Sequence, residues 1–290
     1  MENCLSNELL SRHTTFKIGG PARKFILPSS VDEFSAAISD CLSAKEKFYI
    51  LGGGSNLVFS DDGFPGTIIC TKNLNKIEAD GNLVTCQAGV SISTLTFFAK
   101  NQGLSGFEAF AGLPGTTGGA VFMNARCFEV EIADILVSAT YLDLKDLSVK
   151  SYTFDKSHWA YKKSPFNDGT KLVLSATFKA FATGVPSDTI EEKNRFYINE
   201  RKSKGHFEFP SAGSVFKNNH AFGKPSGKII DEAGLRGFAI GGAKVADLHG
   251  NFIINTGNAT SADVKALVDH IKKVVFEKFG FSLEEEIIFV

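Results

Sequence analysis

The sequence has few cysteines, and they are not arranged to act together. Its five cysteines lie far apart along the chain, and none belongs to a CxxC pair. An odd number of scattered cysteines is typical of reduced thiols and not of a disulfide framework. The six histidines are equally dispersed, without an HExxH motif or a His/Cys cluster. The sequence therefore predicts that the protein binds no metal ion.

Net charge and long apolar runs are also lacking. The formal net charge is -1, and the basic residues form no stripe of the kind that binds a nucleic-acid backbone. No apolar run approaches the roughly 20 residues of a membrane-spanning helix. The first residues of the chain have neither the basic nor the apolar region of a signal peptide. We therefore expect a cytoplasmic protein that has no nucleic-acid partner and does not insert into a membrane.

The common nucleotide motifs are absent, but two glycine-rich loops are present. Neither GxGxxG nor GxxxxGK[ST] occurs, whereas Leu51–Phe59 contains three consecutive glycines and Phe110–Ala125 contains four glycines and a proline. Glycine permits close backbone approach to a ligand, and a following helix offers N–H groups and its positive dipole end to an anion. The loops predict a site for the diphosphate of a large nucleotide cofactor. Ordinary glycine turns are the simpler alternative.

Hydrophobic patterning predicts a mixed α+β chain. Strands are expected at 24–27, 48–51, 67–70, 83–87, 172–181 and 281–290, with a hairpin over 136–152. Helices are expected after Ser30, whose capping box includes Glu33, and over 93–101, 187–204 and 262–279. Gly280 is expected to cap the last helix. Polar turn residues at 183–186 indicate a domain boundary.

Four segments together resemble one protein family. They are the two glycine loops, His13–Ala22 and Ser211–Asn218, and they follow the order found in UDP-N-acetylenolpyruvoylglucosamine reductases over nearly the whole chain. The resemblance implies FAD, bound in the vanillyl-alcohol-oxidase type of fold with two α/β subdomains, and a C-terminal α/β substrate domain. We expect FAD-binding subdomains at 1–71, joined by 281–290, and at 72–183, with the substrate domain at 184–280. The short middle domain indicates the form without an inserted substrate loop.

The glycine loops contain the cofactor-binding residues that the resemblance implies. These are Gly52, Gly53, Gly54, Ser55, Asn56, Gly112, Pro114, Gly115, Thr116, Gly118, Gly119 and Ala120. In the implied reaction, hydride passes from NADPH to FAD and then to C3 of UDP-N-acetylglucosamine enolpyruvate. The product, UDP-N-acetylmuramate, is a precursor of bacterial peptidoglycan. The expected partners are therefore this UDP-sugar and NADPH, and the sequence does not indicate the oligomeric state.

Ser214 matches the family's proton donor, which protonates C2 of the substrate. A serine hydroxyl is a weak acid, so its neighbours must stabilise the alkoxide or reprotonate it. Lys217 is a nearby cation in the same motif, and Asn218 is expected to contact the substrate diphosphate or sugar. The alternative is a serine that caps a turn after Gly213.

Glu286 matches the second glutamate of the family's LExE segment, which helps to polarise the substrate carboxylate. Three carboxylates occur in succession at Glu284–Glu286, and an inward-facing member would have a raised pKa. Glu284 would share its face of a strand with Glu286, so the spacing leaves open which of them points into the site. A charged edge strand is the alternative.

Lys162 departs from the family pattern. It stands where the family has an arginine, and an ammonium group cannot form the planar two-point contact of a guanidinium with a carboxylate. Lys162 is therefore either catalytic or a solvated surface charge. The segment Ala125–Phe128 also differs from the family's small-residue turn. Two other functions stay open: a vanillyl-alcohol-type FAD oxidase, which should lack the Ser214 segment, and a catalytically inactive nucleotide-binding module.

Overall fold

A computed structural model describes residues 4–290, in which helices and strands are mixed. The strands are β1 Cys4–Leu9, β2 Pro21–Ile26, β3 Phe48–Leu51, β4 Leu57–Val58, β5 Phe64–Cys70, β6 Ile77–Asp80, β7 Leu83–Gln87, β8 Arg126–Cys127, β9 Val130–Glu131, β10 Leu136–Asp143, β11 Ser148–Thr153, β12 Lys171–Lys179, β13 Ser211–Ser214, β14 Ala239–Ile240, β15 Ala243–Val245, β16 Phe252–Asn255 and β17 Ile288–Phe289. The α-helices are α1 Val31–Ser43, α2 Ile92–Asn101, α3 Thr117–Phe122, α4 Ile132–Ile135, α5 Ser187–Ser203, α6 Ser226–Glu232 and α7 Ser261–Phe279. None of the helices within 4–290 is long and apolar enough to cross a membrane.

The strands form three larger sheets and two small ones. The first sheet has the strand order β1-β2-β5-β3, in which β3 and β5 are parallel. The second, β11-β10-β12-β7-β6, is antiparallel in every pairing. The third, β13-β16-β15-β14, is also antiparallel. The small sheets are the parallel pair β17-β4 and the antiparallel pair β8-β9.

The described chain divides into two compact units. The first unit contains the residues up to Leu5, Phe25–Gly53 and Thr67–Asn199. The second unit contains Ser6–Lys24, Gly54–Gly66 and Glu200–Val290. The division at 71 and 183 into two FAD-binding subdomains and a substrate domain stays a prediction.

The first unit contains two clusters of buried apolar side chains. Helix α1 buries Phe34, Ala37, Ile38 and Cys41 at helical spacing. A larger core contains side chains of β7, β10 and β12 together with those of α2 and α3. Ser30 Oγ accepts a hydrogen bond from the backbone N–H of Glu33 at 3.1 Å, which confirms the predicted start of α1.

The core of the second unit lies between its sheet and helix α7. This helix buries Val264, Leu267, Val268, Ile271 and Val275 on one face, which confirms that the apolar stripe is a core face. Gly280 ends the helix in the left-handed conformation with φ 72°, as predicted.

The C-terminal segment is less regular than predicted. Only Ile288–Phe289 form a strand, which pairs with β4. Upstream, the backbone N–H of Lys217 donates to the carbonyl of Glu284 at 2.9 Å. The single strand predicted over 281–290 is therefore wrong in its extent, because the middle of the segment pairs with the loop after β13 and not with a neighbouring strand.

Asp263 links the start of α7 to the turn before β15. Its Oδ2 accepts hydrogen bonds from the backbone N–H of Thr260 at 3.0 Å and of Gly242 at 3.1 Å. These two hydrogen bonds lower the pKa of Asp263 from its ordinary value of 3.8. Because the folded-state pKa is depressed, the stabilisation is present above pH 3.8 and is lost as the pH falls through the folded-state pKa.

We expect Asp263→Asn to lower the urea midpoint of unfolding at neutral pH, because the neutral amide accepts these hydrogen bonds less strongly. The difference in urea midpoint between Asp263→Asn and the unsubstituted chain should become smaller below pH 3.8. Asp269→Asn is the matched control, since it removes the same charge from an exposed position of the same helix. Urea unfolding followed by circular dichroism at several pH values measures both. Equal midpoints for the two variants at neutral pH would contradict this role for Asp263.

Candidate active site

The two glycine loops lie against each other in the first unit. A Cβ atom added to Gly53 would stand 2.6 Å from the Gly115 Cα, and one added to Gly52 would stand 2.5 Å from Thr116 Oγ1. Neither position has room for a side chain, so glycine is required for this backbone approach. The second loop is also joined to the start of α2, where the Ile92 N–H donates to the Gly115 carbonyl at 3.1 Å. The structure thus brings these four predicted cofactor residues together.

Thr116 presents an unsatisfied oxygen at this contact. The residue is 4 % exposed, and its Oγ1 has no hydrogen-bond partner within residues 4–290. A buried hydroxyl without a partner costs about 1–3 kcal/mol, so the position favours a polar ligand. The neighbouring Thr117 differs, because its Oγ1 donates to the Val90 carbonyl at 3.1 Å.

Helix α3 contributes less to anion binding than the sequence predicts. It has only six residues. The Thr117 N–H donates to the Val90 carbonyl at 2.8 Å, and the Gly118 N–H donates to the Ala88 carbonyl at 2.9 Å. The expectation that these two donors are available to a diphosphate is therefore wrong. They tie the helix to the segment after β7 instead.

The other predicted residues of the second loop divide into surface and packing positions. Gly112, Pro114 and Gly119 are partly or fully exposed. Gly118 and Ala120 pack inward. A Cβ atom at Gly118 would lie 2.8 Å from the Cβ atom of Ala88, and Ala120 belongs to the larger core. Contact of these five residues with a cofactor stays a prediction.

Gly54, Ser55 and Asn56 continue the first loop in the second unit. A Cβ at Gly54 would lie 2.2 Å from the His13 carbonyl oxygen, so Gly54 packs on the backbone of the His13 segment. Asn56 Nδ2 donates to the Glu286 carbonyl at 2.9 Å. Gly54 and Asn56 thus hold other parts of the second unit in place, and cofactor contact by all three residues stays a prediction.

Ser214 stands at a bulge of the third sheet. Ser211 pairs with Ile254, and Ser214 pairs with Phe252. Three residue steps along β13 therefore correspond to two along β16, which defines a bulge. Gly213 accommodates the irregularity with φ +77°, a backbone conformation that disfavours residues with a Cβ. Ser214 is half-buried. It is the last residue of β13 and follows the bulge directly.

Asn251 fixes the residues that follow Ser214. Its carbonyl accepts from the Val215 N–H at 2.8 Å, its Oδ1 accepts from the Phe216 N–H at 2.9 Å, and its Nδ2 donates to the Phe216 carbonyl at 2.8 Å. Asn251 is buried, so these bonds satisfy backbone groups that water does not reach. Its role could not be predicted from the sequence, because an isolated asparagine distant from Ser214 belongs to no motif.

Glu286 is joined to the Ser214 segment through the backbone. The Glu286 N–H donates to the carbonyl of Val215, the residue after Ser214, at 2.7 Å. An antiparallel bridge between Phe216 and Glu285 continues this pairing. The two predicted catalytic residues of the second unit therefore lie on adjacent backbone segments.

The two preceding glutamates are neutralised by lysines. Lys217 Nζ lies 2.5 Å from Glu284 Oε1, and Lys272 Nζ lies 2.8 Å from Glu285 Oε1. Burial alone would raise the pKa of Glu285, but hydrogen bonding, chiefly from Lys272, gives a net lowering. The Glu284 side chain is 72 % exposed. Glu286, which is half-buried, is therefore favoured over Glu284 as the catalytic candidate.

Lys217 and Asn218 are both anchored at the start of α6. Asn218 Oδ1 accepts from the Ser226 N–H at 2.9 Å, and Ser226 Oγ donates to the Lys217 carbonyl at 2.6 Å. The turn that carries the two predicted substrate contacts is thus held by a buried serine.

Lys162 lies at the tip of a tight turn in the first unit. Ala160 and Lys163 exchange two backbone hydrogen bonds of 3.1 and 2.9 Å, which leaves Tyr161 and Lys162 between them. Lys162 has φ +55°, and its Nζ lies 5.9 Å from the centroid of the Tyr161 ring. Asn124, which is buried and which the sequence analysis did not single out as a site residue, donates from Nδ2 to the Ala160 carbonyl at 3.0 Å. The turn is therefore ordered, and Lys162 is half-buried.

The predicted site residues belong to both units. The first unit contains Gly52, Gly53, Lys162 and the loop over 112–120, whereas the second contains Ser214, Lys217, Asn218 and Glu286. Within residues 4–290, no group of three or more histidine, cysteine, aspartate or glutamate side chains is arranged to hold a metal ion.

Comparisons with known proteins match both halves of the chain. A model of an FAD binding domain matches residues 22–147, and a model of the C-terminal domain of UDP-N-acetylenolpyruvoylglucosamine reductase matches residues 205–290. The UDP-N-acetylenolpyruvoylglucosamine reductase of Treponema denticola is 46% identical, over 95% of this chain and 90% of its own. That of Borreliella burgdorferi is 43% identical, over 97% of this chain and 92% of its own.

A solved structure agrees with these matches. The crystal structure of UDP-N-acetylenolpyruvylglucosamine reductase from Thermus caldophilus is 31% identical, covers 97% of both chains and gives a TM-score of 0.80. The matches confirm the predicted α+β fold class, in which an FAD-binding fold of the vanillyl-alcohol-oxidase type is combined with a C-terminal domain. The chain therefore belongs to the UDP-N-acetylenolpyruvoylglucosamine reductase family, as an FAD-dependent oxidoreductase.

Proposed function

We propose that the chain reduces UDP-N-acetylglucosamine enolpyruvate to UDP-N-acetylmuramate for bacterial peptidoglycan synthesis, with NADPH as the reductant. Membership of the family supplies the reaction class. The structural observation that carries the proposal is the 2.7 Å hydrogen bond from Glu286 N to the Val215 carbonyl, because it joins the C-terminal glutamate to the segment of Ser214. A cytoplasmic location stays a prediction.

The residues of the first unit fit the diphosphate of FAD. Bound FAD supplies the two-electron chemistry that couples oxidation of NADPH to reduction of the substrate. Thr116 Oγ1, which is buried and lacks a partner among the described residues, would donate a hydrogen bond to a phosphate oxygen. Gly53 packs directly on the backbone of Gly115, and any side chain at Gly52 would cover the Thr116 hydroxyl.

Ser214 is the proposed donor of the proton that C2 of the substrate requires. Its Oγ–H bond breaks as the new C–H bond forms, and the alkoxide then recovers a proton from solvent. The bulge at Gly213 and the three hydrogen bonds of Asn251 restrict movement of the backbone that carries this hydroxyl. A fixed donor avoids the entropy cost of placing a water molecule at the same position.

Glu286, Lys217 and Asn218 complete the proposed substrate contacts. Glu286 is the proposed group that helps to polarise the carboxylate of the enolpyruvyl substrate. Lys217 is paired with Glu284, whose side chain is largely exposed, and such pairs contribute little in water. Lys217 can therefore exchange this partner for a substrate phosphate, while Asn218 orders the turn and contacts the diphosphate or sugar.

Anaerobic flavin spectroscopy tests the proposed reaction as a whole. NADPH should bleach the flavin absorbance of the purified protein, and subsequent addition of UDP-N-acetylglucosamine enolpyruvate should restore it with formation of UDP-N-acetylmuramate. Bleaching that is reversed only by oxygen would indicate an oxidase. A flavin that NADPH does not bleach would indicate a binding module without catalysis.

Thr116→Val tests the cofactor site without changing the size of the side chain. FAD affinity of the apoprotein should fall about tenfold or more, because a hydrogen bond to a charged phosphate is lost. The melting temperature of the apoprotein should be unchanged or raised, since the removed hydroxyl has no partner among the described residues. Thr117→Val is the matched control and should show the reverse pattern, because its hydroxyl bonds to Val90. Unchanged FAD affinity in Thr116→Val would remove Thr116 from the cofactor site.

Ser214→Ala separates the two halves of the reaction. Flavin reduction by NADPH requires no proton from Ser214 and should keep its rate, whereas reoxidation by substrate should slow by about 10² to 10⁴, the range for loss of a general acid. Ser203→Ala on α5, where the hydroxyl donates to the Glu200 carbonyl, is the control and should leave both rates unchanged. Rapid-mixing absorbance measures each half-reaction. Slow bleaching with normal reoxidation would place Ser214 on the NADPH side instead.

A further inference from the structure

A guanidinium group lies close to the position where the family arginine is replaced by lysine. The Arg126 Cζ lies 5.9 Å from the centroid of the Tyr161 ring, and the Lys162 Nζ lies 5.9 Å from the same centroid. Both cations lie over the electron-rich face of one aromatic ring. Arg126 is therefore present in the small region that the resemblance assigns to the binding of a carboxylate.

Two short hairpins hold these cations in place. Arg126 begins the β8-β9 hairpin, and it pairs with Glu131 across a two-residue turn. Lys162 lies in the hairpin turn closed by Ala160 and Lys163. Asn124, which is buried two residues before Arg126, connects the turn at 160–163 to helix α4, because its Nδ2 donates to the Ala160 carbonyl at 3.0 Å and its Oδ1 accepts from the Ala133 N–H at 3.1 Å.

Three non-glycine residues of the two hairpins, and Asn124 just before the first hairpin, have positive φ. Among non-glycine residues, Asn124, Phe128, Glu129 and Lys162 have φ values of 42°, 47°, 68° and 55°. A left-handed conformation at residues other than glycine or asparagine is unfavourable by about 1 kcal/mol or more and persists only where the surroundings impose it. Such strain is typical of sites that position functional groups.

The present partner of Arg126 is weakly held. Arg126 forms an ion pair with Glu129, whose side chain is 88% exposed, while that of Arg126 is 29% exposed. An ion pair with a solvated carboxylate contributes little, so a substrate carboxylate can replace Glu129 without a large loss. The guanidinium offers a planar fork for two parallel hydrogen bonds, which the ammonium of Lys162 lacks.

We propose that Arg126 binds the carboxylate of the enolpyruvyl substrate and performs the role that the family assigns to an arginine at the position of Lys162. Lys162 adds a second positive charge beside it. Negative charge grows on this carboxylate side when C3 is reduced, so a bidentate cation there stabilises the transition state more than the ground state. The inference rests on the proposed function, because it takes the enolpyruvyl carboxylate as the ligand.

Arg126→Ala in the FAD-loaded enzyme tests the proposal. Flavin reduction by NADPH should be unchanged, whereas reoxidation by the substrate should slow at least about tenfold, as expected when one donor to a developing charge is lost. Arg195→Ala is the matched control, since Arg195 also pairs with a glutamate in the first unit and is 72% exposed. Equal reoxidation rates in the two variants would overturn the proposal.

A second substitution distinguishes a catalytic from a structural role. Lys162→Arg, added to Arg126→Ala, should recover most of the lost reoxidation rate, because it returns a guanidinium to the family position. Guanidinium salt at millimolar concentration should partly restore the reoxidation rate of Arg126→Ala alone. A loss that neither change relieves would mean that Arg126 only supports the hairpin. If Arg126→Ala does not retain FAD, the reoxidation rate is measured in Arg126→Lys instead. A rate in Arg126→Lys equal to that of the unsubstituted enzyme would also overturn the proposal. Turnover by the unsubstituted enzyme tests the proposed function separately.

Discussion

The proposed cofactor site depends on one close contact between two backbone segments. Gly53 and Gly115 approach so closely that a Cβ atom added to Gly53 would lie 2.6 Å from the Cα atom of Gly115. The contact buries the Thr116 hydroxyl at a place where the described chain offers it no partner. A polar group in such a position is stable only if a ligand satisfies it, so the same constraint that forbids side chains also favours a phosphate.

In the second unit, side-chain amides form hydrogen bonds to backbone groups that in a sheet would pair with a neighbouring strand. The residues after Ser214 and the residues around Glu286 are irregular, yet their backbone groups are paired by Asn251 and Asn56. A side-chain amide can satisfy backbone groups at angles that a sheet does not permit, because it carries a donor and an acceptor on a short flexible stem. Ser214 ends β13, and these amide hydrogen bonds hold the irregular segments that follow it and that carry Glu286.

Features set by local sequence were the most predictable. The helices α1 and α7 follow from apolar spacing and from caps at Ser30 and Gly280, all of which act within a few residues. The strand over 281–290 was predicted too long, because β-forming residues indicate an extended chain but not whether a sheet strand lies beside it. The glycine loops were recognisable by their clustered glycines and by their resemblance to the family's motifs. Asn124 and Asn251 act on backbone that is distant in sequence, and no local pattern marks such contacts.

The exchange at Lys162 shows why a site is better compared by geometry than by position. Read along the sequence, a lysine in place of an arginine indicates a weakened carboxylate site. In the folded chain, the buried amide of Asn124 joins the Lys162 turn to the segment that carries Arg126, and both cations lie 5.9 Å from one ring. Binding of a substrate carboxylate depends on the positions of charges and hydrogen-bond donors and not on the chain segment that supplies them. The second departure from the family pattern, at Ala125–Phe128, therefore has a physical connection to the first.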